Sequence, residues 1–122
     1  MPSEVDSVKL PNPNRAVVEI SKLRDYCLSP HHEDGKHKAR VFASALGLQP
    51  PDAEWLRNCL LQAAKDEEAM ILAETRFGTL YVLDSLVTTP SGSAMVRSGW
   101  IVRVSEDFAR LTTCYVKSRV SL

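Results

Sequence analysis

Apolar positions recur every three to four residues in three stretches of the first half of the chain, and about every second residue from Ala69 onward. The first helical stretch opens at Ser21, a hydroxyl suited to capping free backbone N–H groups. It carries Leu23, Tyr26 and Cys27 on one face and stops at Pro30, which cannot continue a helix. A polar loop, 31–35, precedes the second stretch, in which Ala39, Phe42, Ala43 and Leu46 form a stripe ended by Gly47. Pro50 and Pro51 open the third, with Asp52 in its first turn and Trp55, Leu56, Cys59, Leu60, Ala63 and Ala64 on one face.

The second half reads as strands over 69–76, 78–88, 93–104 and 110–117. Their connections are too short for parallel crossovers, so neighbours must be antiparallel. The expected architecture is α+β: N-terminal helices followed by a four-stranded antiparallel β-meander, with the helices packed on one sheet face. A loose tail over 1–14 would precede a single domain over 15–118.

Helices on one face leave the other open. On the third strand Met95, Arg97, Gly99, Ile101 and Arg103 share a face, while Ala94, Val96, Ser98, Trp100, Val102 and Val104 share the opposite, more apolar one. If Val104 stands opposite Arg110, then Leu111, Thr113 and Tyr115 join the Arg97 face. A one-residue slip substitutes Thr112 and Cys114.

Composition narrows the class. With 122 residues, 44% apolar and 25% charged, the chain fits one soluble globular domain with one core. No apolar run reaches the roughly 18 residues of a membrane span, and the polar, Pro-rich start lacks a signal-peptide pattern. Cytoplasmic residence is the expectation, with no membrane partner. Cys27, Cys59 and Cys114 are odd in number and set among apolar residues, which suits reduced core thiols. Fifteen basic residues balance fifteen acidic ones, so no strong global attraction to nucleic acid is expected, and no DNA partner. The balance is uneven: after Met95, Arg97, Arg103, Arg110, Lys117 and Arg119 face only Glu106 and Asp107.

All three histidines fall in "HHEDGKHKAR". Their spacing argues against metal, because His31 and His32 are adjacent and no pair has the i, i+4 separation of a helical metal face. No metal or other cofactor is implied, and His31 and His32 read as loop residues. Lys36, His37, Lys38 and Arg40 occupy the start of the second helix, where free N–H groups favour an anion. Lys38 lies at the edge of the apolar stripe, so it either leans inward to hold a phosphate or snorkels to water. His37, pointing away from the stripe, is either a proton-transfer group or an exposed polar residue. Arg97 either stabilises a phosphate or pairs with Asp84 or Glu74 on a neighbouring strand. A Gly-rich phosphate loop, a nucleophile elbow and spaced paired carboxylates are all missing, which argues against nucleotide-dependent and serine-hydrolase chemistry.

Several of these segments form a recognisable series: Leu10-Pro-Asn, Lys22-Leu-x-x-Tyr-x-Leu, Gly35-x-His-Lys-Ala-x-x-Phe, Gly78-Thr, Val96-Arg-Ser-x-Trp-Ile and Thr113-x-Tyr. In this the chain resembles a bacterial and phage-associated domain family of unknown function, with Phe77 where that family has Tyr. The layout is in turn distantly similar to the Barnase, EndoU, colicin and RelE-like ribonucleases. That resemblance implies RNA cleavage without metal, with His37, Lys38, Arg97, Thr113 and Tyr115 as catalytic candidates. Lys36, Arg40, Thr79 and Arg103 are candidates for holding the substrate. The alternative is a non-catalytic module that holds a partner protein on the open sheet face.

Overall fold

A computed structural model describes residues 7–120. The class is α+β, but the expected order and strand count are overturned. A two-residue strand, β1 (Ser7–Val8), precedes every helix and pairs antiparallel with β2 (Ala69–Thr75). The sheet therefore has five strands in the order β1-β2-β3-β4-β5, with β3 spanning Gly78–Thr89, β4 Gly92–Arg103 and β5 Arg110–Val120. Two residues are too few to display an alternating pattern, which is why β1 leaves no mark in the sequence. It anchors what reads as tail: Ser7 stands opposite Met70, and Leu10 is buried in the core. The part of that tail over 1–6 lies outside the described residues.

Helix α1 begins as one α-turn, Ile20–Lys22, and continues as a π-helical stretch, Leu23–Cys27. Its start falls before Ser21, and Glu19 at its N-cap position makes no side-chain capping bond. The wider turn is closed by the Leu28 N–H donating to the Leu23 carbonyl at 2.8 Å, five residues back. Helix α2 (Lys36–Leu46) ends where Gly47 takes a left-handed φ of 69°. A short 3-10 turn, Pro50–Asp52, leads into α3 (Ala53–Asp66).

One face of the sheet meets the helices. Leu83 and Val87 on β3, Ala94, Val96 and Trp100 on β4, and Leu111 and Cys114 on β5 are buried with Phe42, Leu46, Leu56 and Leu60. Each such large side chain contributes about 1.5–3 kcal/mol by leaving water. The polar atoms taken inside are satisfied: the Trp100 indole N–H donates to Ser98 Oγ at 2.9 Å, and Ser98 Oγ donates to the Leu83 carbonyl at 3.3 Å. Val104, expected on the core face, lies instead in the turn after β4 and is 76% exposed.

The register of β5 resolves the Thr112 question by a route neither alternative anticipated. Arg110 stands opposite Ile101 and Leu111 opposite Trp100, but the pairing then shifts so that Thr113 faces Gly99 and Tyr115 faces Arg97. Thr112 is the extra residue of a bulge, which moves the alternation on by one. Leu111 thus points into the core, while Thr113 and Tyr115 share the open face with Arg97.

Gly35 shows how tightly α1 and α2 meet. A Cβ built there would lie 2.1 Å from the Tyr26 carbonyl oxygen, a contact no side chain tolerates. Gly35→Ala must therefore push α2 away from the π-helical stretch. We expect it to lower unfolding free energy by about 1–3 kcal/mol, measured by urea denaturation; an unchanged midpoint would show that the two helices are not packed this closely.

Candidate functional site

Lys38 sits two residues into α2 and leans toward the sheet. Its Nζ donates to the Tyr26 hydroxyl at 2.8 Å and to Thr113 Oγ1 at 3.1 Å, and lies 4.8 Å from the centre of the Tyr26 ring. Three elements converge on one ammonium: the π-helical stretch of α1, the start of α2 and the bulged part of β5. An ammonium has three donors, and these contacts use two. Among the described residues no carboxylate pairs with it. Its charge is held by two neutral hydroxyls and a ring face.

Local backbone explains the convergence. The π-helical turn sets Tyr26 over α2, Gly35 permits the close approach, and the Thr112 bulge brings Thr113 to the edge of β5. His32 holds the loop before α2: its Nδ1 accepts from the backbone N–H groups of Asp34 and Gly35, both at 3.0 Å. Accepting there places the ring proton on Nε2. The ring stands edge-on to Tyr26 with centroids 4.7 Å apart. A wide cleft of about 420 Å³ runs along this surface, lined by Ser21, Lys22, Asp25, Tyr26, His32 and Thr112.

Behind the site lie the buried thiols Cys27 and Cys114. The Cys114 thiol donates to Cys27 and lowers its proton affinity against the opposing effect of burial, with Thr113 and the Lys38 charge acting in the same direction. Cys114 is correspondingly pushed above its ordinary value, first by its contact with Cys27 and then by burial.

On the open face Arg97 forms a two-pronged pair with Asp84, Nε to Oδ1 at 2.8 Å and Nη2 to Oδ2 at 3.0 Å. Lys117 reaches the same carboxylate at 3.0 Å. Asp84 is held below the usual carboxylate range, chiefly by hydrogen bonding from Arg97 and then from Lys117, while burial opposes. Arg97 is raised by Asp84 and, to a smaller extent, by Tyr115. A smaller groove of about 160 Å³ lies beside this pair, bounded by Leu72, Leu80, Val82, Gly99, Thr113 and Tyr115. Arg97 and Thr112 also line it, so Thr112 borders both clefts.

Of the residues singled out in the sequence, Lys38 and Thr113 bond directly, and Arg97 and Tyr115 face each other one step along the same sheet face. The others lie apart. His37 is exposed on the flank of α2. Lys36 and Arg40 line a different groove with Leu28, Pro30 and Pro50, and Lys36 lies 3.9 Å from Glu33. Thr79 stands opposite Val102 on the helix-covered face, and Arg103 is exposed opposite Gly78 at the end of β4. Sequence reasoning missed Tyr26, read as a core position, and His32, read as a loop residue. The Lys-Leu-x-x-Tyr spacing was visible, but the π-helical turn that aims the hydroxyl at Lys38 was not. Among the described residues no group of three His, Cys, Asp or Glu side chains gathers to hold a metal ion, and no helix is long and apolar enough to cross a membrane.

Two comparisons bear on kinship. A family model described as "Domain of unknown function (DUF6883)" matches residues 9–118. Among curated proteins none matches the chain, so neither comparison supports the likeness to the Barnase, EndoU, colicin and RelE group.

The Asp84 geometry sets a pH dependence. A carboxyl whose folded value is lowered adds stability above its unfolded value and loses it as pH falls through the folded one. Replacing Asp84 by Asn should cost about 1 kcal/mol at pH 7. That difference should shrink below roughly pH 4, the ordinary aspartate value. Urea denaturation of both proteins from pH 7 to 3 measures it, and a gap that stays constant to pH 3 would rule out the Arg97–Asp84 pair as its source.

Proposed function

The chain belongs to the family described as "Domain of unknown function (DUF6883)", and from that premise we propose that its Lys38 cluster is a ribonuclease-like site that cleaves RNA without metal. The family match is silent on activity, so the reading rests on one observation: a half-buried ammonium held by the Tyr26 and Thr113 hydroxyls, with one donor left for an incoming oxygen. Such a group favours a phosphate, because an anion supplies the opposite charge that its neutral partners lack.

The reaction is attack of the ribose 2′-oxygen on phosphorus with departure of the 5′-oxygen, giving a 2′,3′-cyclic phosphate and a 5′-hydroxyl. Lys38 offsets charge that builds on the non-bridging oxygens. Tyr26, whose oxygen already accepts from Lys38, has its own proton free for the departing oxygen, and the His32 Nε2–H is a second donor beside it. The 2′-hydroxyl proton passes to the Asp25 carboxylate, which lines the same cleft. Arg24 holds Asp25 below the ordinary carboxylate value through its hydrogen bond. A carboxylate so stabilised is a weak base, which makes this a slow enzyme. His37 has no part in this proposal, since it is exposed and lines neither cleft.

A second reading, a protein partner on the open face, is favoured by the bare apolar end of the sheet. There Met70 is 51%, Leu72 68% and Phe77 64% exposed.

The deciding experiment is incubation of total RNA with the purified chain, with and without EDTA. We expect cleavage that EDTA leaves unchanged and products ending in cyclic phosphate. Lys38→Met should reduce the rate about 10²- to 10³-fold, and Tyr26→Phe should also reduce it when assayed well below the thermal midpoint that loss of the Lys38 hydrogen bond lowers. Absence of cleavage overturns the enzyme reading, and retention of a protein instead of RNA in pull-downs would favour the second one.

A further inference from the structure

We propose that the groove floored by Gly99 is a nucleobase subsite, in which a planar ring lies against the sheet while the phosphate attached to it meets Lys38 beside Thr113. The inference rests on the reading of Lys38 as a phosphate holder.

Pairing across the open face explains the hollow. One row runs Met70, Val82, Gly99, Thr113; the next runs Asp84, Arg97, Tyr115; the row on the other side includes Leu80, Ile101 and Arg110. Every position around Gly99 carries a side chain and Gly99 carries none. Its backbone needs no glycine-only conformation, so conformational freedom is not the reason for the missing side chain. What its smallness does is keep space open. A Cβ there would stand 3.0 Å from Thr112 Oγ1 and 3.6 Å from Thr113 Cγ2, filling the gap between β4 and β5.

The surroundings specify the occupant. Leu72, Leu80 and Val82 give one side an apolar wall, while Tyr115 and Arg97 offer a ring and a guanidinium plane on the other, the two kinds of surface on which unpaired bases stack. At the rim Arg97 and Lys117 share a single carboxylate, Asp84, so two positive charges meet one negative and one positive charge remains. Thr113 joins the two places: its methyl faces Gly99 and its hydroxyl accepts from Lys38. Gly99 and Thr113 are one strand spacing apart, roughly 5 Å, and the ammonium lies 3.1 Å beyond Thr113 Oγ1, a span that a single nucleotide bridges. An apolar slot for a ring with cationic groups on both sides suits a ring that carries an anion. Bases within a duplex are stacked and paired and cannot lie flat in it, so the substrate of this site is unpaired RNA.

The test is an NMR titration of the full chain with three probes: adenosine 5′-monophosphate, adenosine and inorganic phosphate. We expect the nucleotide to shift the amide signals of Leu80, Gly99 and Thr113 and to bind at least tenfold more tightly than phosphate, whose effects stay near Tyr26, Lys38 and Thr113. Gly99→Val should abolish the tenfold advantage and leave phosphate binding unchanged. Because that variant crowds Thr112, Leu72→Ser provides a second probe at an exposed wall position and should weaken nucleotide but not phosphate binding. A nucleotide that binds no better than phosphate and leaves Gly99 unshifted overturns the subsite while sparing the Lys38 reading. Adenosine shifting Gly99 with no response to phosphate keeps the ring subsite and removes that reading. Silence to all three probes overturns both.

Discussion

A single ammonium, that of Lys38, is the charged contact at which three elements meet, beside the close approach of Gly35 to Tyr26 and the contact of Cys27 with Cys114. Holding a charge half out of water costs several kcal/mol when nothing compensates. Here two hydrogen bonds to hydroxyls, each contributing about 1.5–3 kcal/mol, and the face of Tyr26, about 1 kcal/mol, offset that cost without a carboxylate. Three local features of the fold serve this contact. A π-helical turn aims Tyr26, Gly35 removes the side chain that would hold α2 away, and the bulge at Thr112 turns Thr113 toward the lysine. The π-helical turn and the bulge depart from ideal helix and strand geometry, and such departures persist where the surrounding structure over-determines them.

The regular parts of the molecule were legible from periodicity because they bury one face. The stripes at Phe42 and Leu46 and at Leu56 and Leu60 did locate α2 and α3, and the alternation through Val96 and Trp100 did locate the core face of β4. The irregular parts were not. Strand β1 is too short to alternate, and its pairing with Met70 and Ala69 is fixed by contacts more than sixty residues away in sequence. The Thr112 bulge changes which residues face out, and nothing in "RLTTCYV" distinguishes an even register from one with an extra residue. At the site this difference decided the outcome. Lys38 and Thr113 could be named from the sequence, but Tyr26 and His32 depend on a turn whose hydrogen-bond spacing no side-chain pattern reveals.

Electrostatics within the domain divides into two unlike arrangements. Arg97 and Lys117 are committed to Asp84, and Arg110 to Glu106. Lys38 alone among these cations rests on neutral oxygen atoms. A paired guanidinium offers a ligand its plane and its remaining donors, whereas an ammonium paired with hydroxyls offers its full charge. The sequence treats Lys38 and Arg97 alike as phosphate candidates; on the proposed reading Lys38 supplies the attraction, and Arg97, committed to Asp84, borders a groove. A net charge of zero is compatible with that reading, because affinity for a single phosphate depends on the local field at a half-buried cation more than on the molecular total.

The same division bears on how the site would discriminate among ligands. Phosphate contacts position a nucleic acid without reading it, and contacts to the base carry the choice. On the proposed reading Lys38 belongs to the first kind and the Gly99 groove to the second, and Thr113 touches both. A ligand with phosphate alone satisfies the ammonium and leaves the groove wet; one with a ring alone fills the groove and leaves the ammonium unanswered. The combined demand is met by a nucleotide unit free of its partner strand. A long duplex would have to melt before it could satisfy both places, and the unstacking costs a few kcal/mol per base, comparable with what stacking on Tyr115 and Arg97 could return.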